Sequence, residues 1–309
     1  MNEFYIFLTL ILIVAIIFFR LFLRYKKEIR ISLRELKGES KLIQTKSGQI
    51  EYKIIGDGYP VLISHGGAGG FDQGMITAYS HLHRKYKIIS VSRFGHLRTP
   101  LATDSSAVTQ ADAYAHLLEA LDIPRVAIIG TSGGAPSAIQ FAQKYPQKCS
   151  TLVSTSGVSM YLPKRPLSIY KNDFIYWIVT SYFRSLALEK IGVTKEIQKG
   201  LSDYEKQYLE KLFKSMHPIS LRKKGLFQDV YEWADADIWK SNYHLEKITV
   251  PTLVIHAIND TNVPFDHAEN VANKIPGAVL LSLPSGGHLK LKHFDQIRER
   301  VSGFIDEHI

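Results

Sequence analysis

One stretch constrains the fold of this chain more than any other. Residues 125–146 read RVAIIGTSGGAPSAIQFAQKYP. A β-branched apolar run ends at a glycine, the five residues Gly130-Thr131-Ser132-Gly133-Gly134 follow, and a helix-forming run continues to Pro146. Strand, tight turn and helix in direct succession form the repeating unit of a parallel sheet covered by helices. Glycines two before and two after a serine let the chain turn where side chains would collide, and lift the hydroxyl clear of the backbone. That hydroxyl is a weak nucleophile at neutral pH and needs a base, itself oriented by an acid. The pentapeptide alone is also compatible with a plain glycine turn, so its reading depends on what the rest of the chain supplies.

The rest of the chain repeats the alternation. Residues 41–55 suggest a hairpin about Gly48, closed by the GDG turn at 56–58. YPVLISH and YKIISVS (86–92) are short apolar runs, as buried strands should be. Residues 72–85 and 108–123 read as helices, STLVSTSG, VPTLVIHA and GAVLLSLP as further strands, and about 293–307 as a closing helix. Between about 158 and 247 the alternation stops and two long helical patterns appear, a helical insertion between two strands. The expected fold is α/β, with a mostly parallel sheet and helices on both faces. At 309 residues the chain has ample length for such a core.

Three further motifs carry chemistry. VLISHGGAGG ends a strand in a glycine loop, where a second N–H donor for an oxyanion is expected; Gly67 is the choice, with Ala68 the alternative, beside the N–H of Gly133. His65 there reads as a structural hydrogen-bonding residue. In LVIHAINDTNVPFDHA, Asp260 stands just beyond a strand end, where a triad acid belongs, while Asp266 reads as a helix cap. In LSLPSGGHLKLKHF, His288 follows a strand and a Gly-Gly turn, and His293 falls where the last helix should start. The chain order Ser132, Asp260, His288 is that of nucleophile-elbow hydrolases.

On HGGAGG, SRFGHLRTP, GTSGG and GGH, in that order with the strand-end Asp between the last two, residues 40–309 resemble the α/β-hydrolase superfamily. The resemblance implies an eight-stranded sheet, a Ser-Asp-His triad and a helical cap inserted after the sixth strand. Serine at 132 disfavours the members with an aspartate nucleophile. HGGAGG is similar to the HGGPGG of proline iminopeptidases, but Ala68 replaces the proline and the elbow differs. A peptidase of that kind should gather acidic cap residues near Ser132. Arg93, in SRFGHLRTP, fits either a brace at the site mouth or surface charge.

The N-terminus breaks the soluble pattern. Residues 4–19 carry no charge, and with Arg20 near the end the apolar stretch runs to residue 23. Twenty helical residues span about 30 Å, the hydrocarbon thickness of a bilayer. A cleaved signal peptide needs a basic start and a small-residue cleavage site, and neither is present. Residues 1–38 therefore read as a transmembrane anchor and basic flank, preceding a domain at 39–309. Of the net charge of +9, residues 20–37 supply +5 and residues 158–247 supply +4. The basic flank places the body on the cytoplasmic side, and the absence of a basic stripe argues against nucleic-acid binding. The single cysteine, Cys149, allows no intramolecular disulfide and no cysteine metal cluster.

The insertion is aromatic, with Tyr170, Phe174, Tyr176, Trp177, Tyr182 and Phe183 close together. Tyr170, Phe174 and Trp177 share a helical face. It either packs on the core, or, with Phe174 and Trp177, lines an apolar pocket that binds substrate, or touches the bilayer. The expectation is a membrane-anchored serine hydrolase acting on a small, apolar carboxylic ester, with no cofactor and no metal. Its rivals are thioester, amide or C–C cleavage on the same triad, a proline-iminopeptidase-like activity, and a non-catalytic tethered binding protein.

Overall fold

The computed structural model describes residues 2–309. A first helix, α1 (Asn2–Leu36), takes in the whole apolar stretch and continues through the basic flank. At 35 residues it is about 52 Å long. The flank expected only as a charged segment is thus helical. Its alternating Arg24, Glu28, Arg30 and Glu35 suit a helix surface, and Arg24 pairs with Glu28 one turn on. The helix is long and apolar enough to cross a membrane, and none of its apolar window is buried against the rest of the chain.

Among the described residues, eight strands form one sheet: β1 (Lys41–Thr45), β2 (Gly48–Ile55), β3 (Pro60–Ser64), β4 (Lys87–Val91), β5 (Val126–Thr131), β6 (Cys149–Thr155), β7 (Thr252–Ala257) and β8 (Val279–Leu283). Their spatial order is β1-β2-β4-β3-β5-β6-β7-β8. The hairpin pairs antiparallel and β2 joins β4 antiparallel; every later pairing is parallel. The strands β3, β5, β6 and β7 are almost wholly buried, which explains their continuous apolar runs.

Helices α2 (Phe71–His81), α3 (Ala107–Ala120) and α4 (Ala135–Lys144) connect the early strands. Two apolar clusters flank the sheet, one holding Leu62, Ile128 and Leu152, the other Ile63, Ile129 and Val153. Neighbouring strand residues thus point to opposite faces. Between β6 and β7 come α5 (Asp173–Tyr182), α6 (Arg184–Glu189), α7 (Lys195–Lys199), α8 (Asp203–Lys214), α9 (Lys223–Trp233) and α10 (Ala236–Asn242). They form the cap, with a small core of Tyr176, Ile219, Leu226 and Val230. Helices α11 (Asp266–Lys274) and α12 (Phe294–Asp306) complete the chain. Ligand sites in such sheets lie beyond the carboxyl ends of the strands, and the cap sits over that edge.

Candidate active site

Ser132 follows the last residue of β5 with φ of 51°, the left-handed region that a non-glycine residue rarely occupies. The flanking glycines make that turn possible. A Cβ on Gly130 would lie 2.6 Å from the Cβ of Ala138, and one on Gly134 would lie 2.3 Å from the carbonyl oxygen of Ser64. The sharp turn therefore exists because β5, β3 and α4 can approach to backbone contact.

His288 reaches this serine from the loop after β8. Its Nε2 lies 2.9 Å from the Ser132 Oγ, and its Nδ1 lies 2.7 Å from the Asp260 Oδ2. A carboxylate only accepts, so Nδ1 carries the proton and Nε2 is left to accept from the serine hydroxyl. Asp260 stands three residues past β7 and is buried. Its Oδ1 accepts from the N–H groups of Asn262 (2.8 Å) and Val263 (2.9 Å). Burial alone would raise the carboxyl pKa, but the two histidines beside it outweigh burial and hold it well below the usual carboxylate range. Ser132, Asp260 and His288 are thus brought together from the ends of β5, β7 and β8. Asp266 lies in the first turn of α11 and does not cap it; Phe265 occupies the cap position. His293 caps the start of α12 without a side-chain cap bond.

The second histidine was not foreseen. His256, on β7, places Nε2 3.0 Å from the Asp260 Oδ2 and 2.9 Å from the carbonyl of Val263. Its signal was available: in an otherwise apolar strand, four residues before the strand-end acid, a histidine must spend its polar atoms somewhere. Lys290 was also missed. It is buried behind the triad, and its Nζ donates to the Ser156 Oγ (2.9 Å) and to the carbonyl of His288 (3.1 Å). Burial pulls its pKa down to about 8.

Gly67 and Gly133 face each other. The Gly67 nitrogen is 3.5 Å from where a Cβ of Gly133 would stand, and Gly133 sits in the first turn of the helical segment after β5, where N–H groups lack intrahelical acceptors. The loop around Gly67 is rigidly held. His65 Nδ1 meets the Gly66 carbonyl at 2.7 Å, while its Nε2 accepts from the Arg93 N–H. His96 Nε2 lies 2.7 Å from the Gly67 carbonyl, and the amide side chain of Gln73 accepts from Gly66. His65 has the structural role expected of it. Arg93 is a brace: its Nε donates to the His65 carbonyl, and its two terminal nitrogens grip Asp229 of α9 at 2.7 and 2.6 Å. Burial works against the guanidinium charge, and Asp229 more than offsets it. This buried pair ties the cap to the loop.

The cap touches the site through α9. The Trp233 ring fills the space where a Gly133 Cβ would be, 2.4 Å from that point, and Leu226 lies 3.0 Å from the equivalent point on Gly67. Beside Gly133, Arg93, Asp229, Glu232 and Trp233 leave a cavity of only about 10 Å³. Phe174 and Trp177 do not do what was expected of them. Phe174 packs on Phe18, Phe22 and Tyr25 of α1, and Trp177 packs on Tyr25 and donates its indole N–H to Glu28 at 2.6 Å. Their partner is the N-terminal helix because α1 runs past α5 and offers an aromatic face to it. That face could not be paired with α5 from sequence spacing alone.

A family model described as alpha/beta hydrolase fold matches residues 59–292. Among curated relatives, an uncharacterised hydrolase, YcgS, of Bacillus subtilis is 28% identical over 82% of this chain and 93% of its own length. A 2-hydroxy-6-oxononadienedioate/2-hydroxy-6-oxononatrienedioate hydrolase of a Pseudomonas species is 24% identical over 87% of this chain and 97% of its own. Among solved structures, an esterase from Exiguobacterium antarcticum superposes with a TM-score of 0.64 at 22% identity, over 86% of this chain and 99% of that one. At that identity the likeness speaks for the fold.

Proposed function

The chain belongs to the α/β-hydrolase fold family, and on that premise we propose that it is a membrane-anchored serine hydrolase cleaving lipophilic carboxylic esters. The observation that carries the reading is the continuous hydrogen-bonded line from Ser132 through His288 to Asp260, at 2.9 and 2.7 Å. In it, the Ser132 Oγ attacks the acyl carbon while His288 Nε2 takes its proton, and the N–H groups of Gly133 and Gly67 receive the developing oxyanion. His288 then returns the proton to the leaving alcohol, and an acyl-enzyme remains. Water, deprotonated by His288, releases the acid. Asp260 keeps the imidazole in the required tautomer and stabilises its charged form, while His256 shares the Asp260 oxygen that faces His288. The chemistry draws on no cofactor or metal.

The lipophilic substrate is inferred from the apolar roof of Leu226 and Trp233 and from the anchor, which keeps the site near a bilayer. The basic flank after the apolar stretch supports a catalytic domain on the cytoplasmic side. Acidic cap residues do stand near Gly133, but Asp229 is engaged by Arg93 and both Glu232 oxygens accept from the Ala107 N–H, which argues against capture of a peptide amino terminus. A second reading, C–C bond cleavage on the same triad, is favoured by the named activity of the Pseudomonas relative. Labelling by a fluorophosphonate probe tests the triad: wild type takes the label, and Ser132→Ala takes none and loses p-nitrophenyl ester turnover by about 10⁵ or more. Unlabelled wild type, or wild-type turnover by Ser132→Ala, defeats the mechanism. A panel of esters against a dienoate ketone then decides between the two readings.

A further inference from the structure

Resting on the anchored reading above, we infer that the α5–α6 face of the cap is a second membrane-contact surface, seated in the headgroup–acyl boundary of the bilayer that α1 crosses. Its depth follows from the contacts with α1. At one end of α5, the Phe174 ring lies 5.5 Å from Phe18, 5.7 Å from Phe22 and 5.2 Å from Tyr25, centroid to centroid. At the other end, the Tyr182 hydroxyl accepts from Arg24 at 3.2 Å. Both ends of α5 therefore meet α1 within its residues 18–25. Phe18 is five residues inside the apolar stretch that ends at residue 23, roughly 7.5 Å along the helix axis. Helices lying in a membrane interface bury their apolar face about 5–10 Å into the boundary, so the Phe174 end of α5 reaches that depth while its Tyr182 end lies at the edge of the stretch.

The side chains turned away from the cap have the chemistry for that place. Ile175 is 49% exposed, Tyr182 47%, Phe183 51% and Leu186 55%. Ile175, the partly buried Ile178 and Tyr182 are spaced three and four apart and share one face of α5. An aromatic and aliphatic cluster of this size on neighbouring short helices marks an interaction surface. Cations flank it: Arg24 lies over the Tyr182 ring and Lys26 over the Phe22 ring, and Lys171 precedes α5. Carboxylates of these elements are engaged, Glu28 by Arg24 and Trp177, Asp173 by the Ser220 N–H and Glu189 by the Ser185 hydroxyl. Apolar groups at that depth, flanked by cations, fit an anionic leaflet. The face is continuous with the α1 contact, so the cap rests where a lipophilic ester is concentrated.

Depth-dependent quenching tests this on the full-length chain. Cys149 is buried, so single cysteines introduced at Leu23, Ile175, Leu186 and Glu299 can each carry an environment-sensitive fluorophore. The protein is placed in phosphatidylcholine–phosphatidylglycerol vesicles, with or without bromine on the acyl chains. The expected result is strong quenching at 23, 175 and 186, several-fold above the exposed control at 299. Quenching at 23 with 175 and 186 no different from 299 overturns the inference and leaves the anchor standing. No quenching at 23 overturns the anchored reading, and this inference with it.

Discussion

Helices α5 and α9 belong to the same cap and look alike as sequence: both are short and amphipathic, and both carry tryptophan. They face different partners. Trp233 and Leu226 of α9 press on Gly133 and Gly67, and Asp229 is locked to Arg93 in the loop after β4. Phe174 and Trp177 of α5 turn outward to the aromatic side of α1. One helix covers the glycines beside Ser132 and the other fastens the cap to α1. An aromatic stripe says that a helix will pack; it does not say against what.

Four comparisons, using five substitutions, test this division. The largest effect is expected at the lock of α9. Asp229→Ala leaves the Arg93 guanidinium buried without its carboxylate, and should cost about 3–5 kcal/mol in urea unfolding. A cost under 1 kcal/mol would show that α9 is not held by this pair. Next comes Glu232, whose carboxyl burial raises to about 7 while the Ala107 N–H works the other way. Its folded value lies above the ordinary 4.5, so the folded state holds this proton more tightly. The resulting stability is complete below about pH 4.5 and is lost as pH rises through about 7. Between pH 4.5 and 8 wild type should lose on the order of 3 kcal/mol at most, and Glu232→Gln should remove that decline. An identical pH dependence in both proteins would place the titration elsewhere.

The third compares the two helices directly. Trp233→Ala should shift the ratio of kcat/KM between long and short acyl esters by about 10- to 100-fold, equivalent to 1–3 kcal/mol. Phe174→Ala should leave that ratio alone. If Phe174→Ala shifts it equally, α5 contributes to the pocket after all. The smallest effect is expected for Trp177→Phe, which removes the hydrogen bond to Glu28 and should cost about 1 kcal/mol. Turnover of a short soluble ester should stay within about twofold of wild type, and a tenfold fall would return Trp177 to the site.

Much of the site was legible because its motifs are local. Ser132 is marked by glycines that only a backbone-contact turn requires, and Asp260 and His288 each follow a strand by a fixed short distance. The histidine His256 left a readable trace, a polar ring in an apolar strand. Arg93 was visible but ambiguous, since its partner Asp229 stands 136 positions away. The same limit hid Lys290, whose hydrogen bonds run to Ser156 and to the backbone of His288.

The sequence by itself determined the sheet, the insertion of the cap and the three residues at the strand ends. Those features rest on periodicity, turn chemistry and chain order, which are properties of neighbouring residues. Only the tertiary structure decided which cap helix covers Ser132, which one meets α1, and how Arg93 and Asp229 close the cap onto the loop. These are pairings between surfaces distant in the chain, and the apolar and ionic forces that make them carry no label of their partner. They follow from shape and burial once the sheet has set the elements in place.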